Sequence, residues 1–78
     1  MYGIDVGVKL NSQEDWGKAT DILEQWRDHS VSAGTGFGVR DMQFEYEDGK
    51  EANEVAKAIR TSLEAAGLVV EYLEVGRA

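Results

Sequence analysis

The segment that most constrains this chain covers residues 34–48, GTGFGVRDMQFEYED. It starts glycine-rich and becomes the longest alternating run in the sequence. Met42, Phe44 and Tyr46 fall on one parity, and Gln43, Glu45 and Glu47 on the other. Successive side chains leave a strand on opposite faces, so a period of two with aromatics on one side predicts a half-buried β-strand. Upstream, Phe37 and Val39 are apolar on the opposite parity, and the phase breaks at Arg40 and Asp41. The break predicts either one long strand bent by a bulge or two short strands separated by a reversal. Arg40-Asp41 lacks the Asn-Gly or Asp-Gly chemistry of a two-residue hairpin, and both readings stay open on the sequence.

A helical pattern lies on each side of this segment, and a further strand pattern lies beyond each helix. Residues 2–10 place Tyr2, Ile4, Val6, Val8 and Leu10 on one face and Gly3, Asp5, Gly7 and Lys9 on the other, a strand with one buried face. Glycine weakens a strand, so Gly3 and Gly7 mark either a tolerant solvent face or a close approach by another group. Ser12 and Asp15 have capping-box spacing. They predict a helix to about residue 30, with Trp16, Ala19, Leu23 and Trp26 on one face and both tryptophans in the core. Residues 31–38, VSAGTGFG, read as a loop with a helix cap at Gly34. Asp48 and Glu51 start a second helix, predicted to about residue 66, whose stripe is Ala52, Val55, Ala56, Ile59, Leu63 and Ala66, with Gly67 ending it. Residues 68–75 form a last strand that is apolar on both parities: Leu68, Val70 and Tyr72 on one, Val69, Leu73 and Val75 on the other. The second set then needs a cover, from a central position in the sheet, a second copy or a target protein. Residues 76–78 read as a short tail.

These patterns predict a single α+β domain over residues 1–78. Two one-sided helices pack on one face of a three- or four-stranded, mainly antiparallel sheet, a two-layer sandwich. If residues 36–47 split into two strands, the order is βαββαβ, similar to the ferredoxin-like fold; otherwise it is βαβαβ.

Charge narrows the function. Fifteen acids against eight bases give a net charge of −7 in 78 residues. Direct nucleic-acid binding needs clustered Lys and Arg, so it is not expected. No apolar run approaches a membrane span, and Met1 leads directly into a strand pattern with no signal segment, so the expected location is cytoplasmic. The chain contains no cysteine and one histidine, His29, which disfavours a transition-metal site. Gly34, Gly36 and Gly38 alternate, but a phosphate-binding loop follows a strand and opens a helix, whereas these follow a helix and enter a strand. No serine is marked as a nucleophile, and Glu45, Glu47, Asp48 and Glu51 lack calcium-loop spacing. No catalytic residue, metal ligand or cofactor is therefore predicted.

What remains is a noncatalytic protein-binding module with a basic protein partner, steered by charge. The residues expected to meet that partner are Gly36 and Phe37 in the glycine segment, Arg40, and the acids Glu45, Glu47, Asp48, Glu71 and Glu74. In size and charge the chain resembles small acidic phage-encoded anti-defence proteins such as anti-CRISPRs. That likeness implies an inhibitor whose carboxylates stand in for phosphates in the groove of a nucleic-acid-handling protein. The alternative is a ferredoxin-like small-ligand or regulatory domain acting as a homodimer.

Overall fold

A computed structural model describes residues 1–77. Its elements are β1 (Tyr2–Lys9), α1 (Gln13–Leu23), a 3₁₀ segment (Glu24–His29), β2 (Ser30–Gly36), β3 (Val39–Tyr46), α2 (Gly49–Ala65) and β4 (Val69–Arg77). The four strands form one sheet in the order β2-β3-β1-β4, with every neighbouring pair antiparallel. Ile4, Val6, Val8, Met42, Phe44 and Tyr46 point to one side of it. There they join Ala19 and Leu23 of α1 and Ala52, Ala56, Ile59 and Leu63 of α2 in a single core. The expected α+β arrangement, with helices on one face of an antiparallel sheet, is the one found.

The two helices are set by different end chemistry. At α2, the Asp48 carboxylate accepts the Lys50 N–H at 3.2 Å, as its position predicts. The other end closes on Gly67 at φ +78°, with Gly67 N–H donating to Glu64 O and Leu68 N–H to Leu63 O, both at 3.0 Å. That pair of bonds satisfies carbonyls the last turn would leave open. At α1, the Ser12 hydroxyl makes no cap bond and neither half of the box forms; Asp15 Oδ2 instead accepts the N–H of Asn11, one residue before the cap, at 2.8 Å.

Four expectations are corrected. The first helix does not run to residue 30: α1 ends at Leu23, and Trp26 leaves helical backbone at φ −114°, ψ 19°. Trp26 follows Leu23 by three residues, a spacing that a 3₁₀ turn serves as well as an α-turn. Second, residues 31–38 are not a loop. Residues 30–36 are the edge strand β2, and Gly34 lies within it opposite Asp41 rather than capping a helix. An edge strand exposed on both sides needs no apolar alternation, so its pattern was silent. The chain reverses at Phe37-Gly38 instead of Arg40-Asp41. Arg40 sits on the core parity with Met42 and Phe44, only 9% exposed, so there is no phase break within β3.

Third, only Trp26 packs against the core; Trp16 is 45% exposed and lies over the Arg40 guanidinium, 5.4 Å from ring centroid to Cζ. Fourth, the two-faced pattern of the last strand comes from a register shift. Gly7 pairs with Tyr72 and Val8 with Val70, which leaves Glu71 as an extra residue. Val70, Leu73 and Val75 therefore all reach the helix side, opposite Val8, Val6 and Ile4. Gly76 and Arg77, read as tail, extend β4; Ala78 lies outside the described residues.

Candidate functional site

Because α1 and α2 cover one side of the sheet, the other side is open, and strand register decides what stands on it. One row sets Glu45, Gly3 and Gly76 side by side across β3, β1 and β4. The next sets Ser32, Gln43, Asp5 and Glu74 across all four strands. A third sets Gly34, Asp41, Gly7 and Tyr72. Four carboxylates, from Asp5, Asp41, Glu45 and Glu74, thus share one face whose floor is largely glycine. Adjacent strands lie about 4.8 Å apart and alternate residues along a strand about 6.6 Å, so the acids form a compact array. Lys9, the cation on the same parity of β1, stands at the far end of the face opposite Val39 and Val69, and Arg77 lines its near end. None of the four acids forms an ion pair among the described residues; the pairs present are Arg27–Glu24 and Arg60–Glu64 on the helices.

An open groove of about 260 Å³ crosses this face, lined by Gly3, Asp5, Val31, Gln43, Glu45 and Glu74 among others. Its floor is low because Gly3 and Gly76 pair with each other across β1 and β4. Next to it the Tyr72 ring lies across Gly7, where any Cβ would overlap the ring. Gly7 is thus a seat for a neighbouring side chain, one of the two roles its sequence position allowed. Burial first, then the Asp5, Asp41 and Glu74 carboxylates, push the Tyr72 phenol above its ordinary range. The negative field of the face is therefore felt by a group within it.

Of the residues expected to bind a partner, Glu45 and Glu74 meet in this groove and Glu71 stands exposed at the β4 bulge. Gly36 and Phe37 are at the hairpin tip, beside the Val39–Lys9 row and at the opposite end of the sheet from Gly3. Glu47 is exposed just past β3, and Asp48 is occupied as the α2 cap. Arg40 is turned to the helix side. Its Nη1 donates to Gly34 O at 3.0 Å and its Nε to Thr20 Oγ1 at 3.3 Å. Asp5, Asp41, Gln43, Val31 and Tyr72 belong to the face and were not singled out. Asp5 was legible as the one acid on the outer parity of β1; Tyr72 was hidden by the bulge.

Among the described residues no group of three His, Asp or Glu side chains is placed to hold a metal ion, and no helix is long and apolar enough to cross a membrane. The chain matches no protein-family model and no curated protein.

Proposed function

We propose that this chain is a small noncatalytic binding module whose open sheet face presents carboxylates to a basic, nucleic-acid-handling protein. The observation that carries the reading is the gathering of Asp5, Asp41, Glu45 and Glu74 on one glycine-floored face, without an ion pair among the described residues. An arginine fork donates to carboxylate and to phosphate oxygens in the same bidentate geometry. A partner groove built for phosphates can therefore be filled by this array, and nucleic acid is displaced by competition rather than chemistry. The specific form suggested by size and charge is an inhibitor of the phage anti-defence kind. We also read the architecture as ferredoxin-like, supported by the β-α-β-β-α-β order of its main elements and by the strand order with central β1 and β3. That fold hosts many unrelated activities and adds nothing to the functional argument.

The test is an affinity capture from native host lysate at low and high salt, with wild type and a variant carrying Asp5→Asn, Asp41→Asn, Glu45→Gln and Glu74→Gln. The expected result is a basic nucleic-acid-binding protein retained by wild type at low salt, released at high salt and lost with the variant. Equal capture by both proteins, or a neutral partner held regardless of salt, overturns the reading.

A further inference from the structure

Three features of the β2–β3 hairpin bear on its outer edge. The outer edge of β2 is unpaired: its ladder is with β3 alone, and apart from the Ser30 N–H, which donates to Arg27 O at the end of the 3₁₀ segment, no other backbone bond reaches residues 30–36 among the described residues. Sheet edges are normally blunted by charge, proline or cover. Ser30–Gly36 reads SVSAGTG and contains neither a charged residue nor proline. β2 shifts register at Val31 but pairs regularly from Ser32 to Gly36, whereas the other edge, β4, has its bulge at Glu71 and carries Glu71, Glu74 and Arg77.

The tip is also strained. Phe37 at φ +54° and Gly38 at φ +76° form a two-residue turn with both central residues left-handed, which favours Asn-Gly. A bulky side chain rarely occupies that conformation, yet Phe37 holds it and is fully exposed. Val31 and Trp16, two more of the exposed large apolar side chains, lie along the same edge. Trp16 Nε1 donates to Thr35 Oγ1 at 3.0 Å, which fixes the indole over β2.

We infer that β2 pairs with β2 of a second copy, antiparallel about a two-fold axis at Gly34. The positions of the side chains argue for this occupant. A two-fold at Gly34 sets Ala33 against Thr35 and Ser32 against Gly36 of the other copy, and brings Val31, at the register shift, beside the Phe37 turn of that copy. Val31, inside the strand, and Phe37, just past it, are each three residues from that axis and meet each other twice, as an isologous interface requires. Each Trp16, held over Thr35, lies beside the seam opposite Ala33 of the second copy. Charge points the same way. In a chain of net charge −7, copies that meet through most surfaces oppose like charges. A seam along β2 opposes none, whereas one along β4 would bring Glu71, Glu74 and Arg77 of each copy to it. A ladder of this length buries less than the roughly 1,200 Å² of a stable interface, so the dimer is a weak one, with Kd in the micromolar range. The result is an eight-stranded sheet in which the seam reaches Val31 at the groove's edge and leaves the four carboxylates of each copy, on β1, β3 and β4, free.

The test is sedimentation equilibrium from about 5 µM to about 500 µM, with tryptophan emission followed over the same series. The proteins are wild type, Ala33→Lys, which places like charges beside the axis and off the acidic face, and Phe37→Asn, which suits the turn but removes the ring. Wild type is expected to pass from monomer to dimer with a blue shift in emission. Ala33→Lys is expected to weaken association on the order of tenfold or more, and Phe37→Asn to weaken it while raising Tm. A wild type monomeric throughout overturns the inference, as does a dimer indifferent to both substitutions. If Ala33→Lys instead abolishes capture of a lysate protein by a monomeric wild type, the edge belongs to that protein and not to a second copy. Loss of capture by the four-amide variant with dimerisation intact separates this result from the acidic-face reading.

Discussion

The Tyr46 hydroxyl is buried with no hydrogen-bond partner among the described residues, while its ring stacks on His29 at 4.1 Å. Leaving a buried hydroxyl unpaired costs about 1 kcal/mol or more, so Tyr46→Phe is expected to raise the urea midpoint by about that stability. Burial first, and the Glu51 carboxylate second, push the Tyr46 phenol above its ordinary range. In the unfolded chain the same phenol ionises near pH 10, at about its reference value. The neutral form is the one the fold favours, so this contribution is complete below about pH 10 and is lost as pH rises towards the folded pKa. Tyr46→Phe should therefore shallow the alkaline fall in stability, with Tyr72 supplying the part that remains. A second residue-scale prediction concerns the Tyr72 seat. Gly7→Ala is expected to cost about 1 kcal/mol by displacing the ring. In a Tyr72→Ala background it should be close to neutral, a coupling that a double-mutant cycle in urea reads directly.

Among the elements, those with a buried apolar stripe were legible before any coordinates: β1, the core parity of β3, and α2 from Asp48 to Gly67. The failures share a cause, which is that the ladder rather than the local sequence decides the conformation. β2 has a single neighbour and little to bury, so SVSAGTG carries no periodic signal. The β4 bulge converts a regular two-faced reading into one core face plus Tyr72. The acidic face was half legible for the same reason: Glu45 and Glu74 could be nominated one strand at a time, but their meeting with Asp5 and Asp41 is a property of register. The bulge yields its own prediction. Deleting Glu71 leaves Val8–Val70 and Gly7–Tyr72 as consecutive pairs, so the variant should fold cooperatively with a straighter β4. Deleting Glu74 puts Val75 on the open face and should abolish cooperative thermal melting followed by circular dichroism.

At the scale of the whole molecule, a net charge of −7 repels itself more strongly in the folded state than in the expanded one. Salt screens that repulsion, so Tm should rise by a few degrees between about 20 mM and about 500 mM NaCl, opposite in sign to the salt effect expected on partner capture. The sheet order has a different consequence, for synthesis. β1 emerges from the ribosome first yet belongs at the centre of the sheet, between β3 and β4, with Tyr2 opposite both Tyr46 and Arg77. The β2–β3 hairpin can form as it emerges, and β1 can then join β3, but one edge of β1 stays bare until β4 is released. A nascent chain halted before residue 69 would hold Ile4, Val6 and Val8 beside an unfilled strand position. Such a chain exposes the apolar side of β1 beside a bare strand edge, the pairing of features that makes an incomplete sheet prone to aggregate.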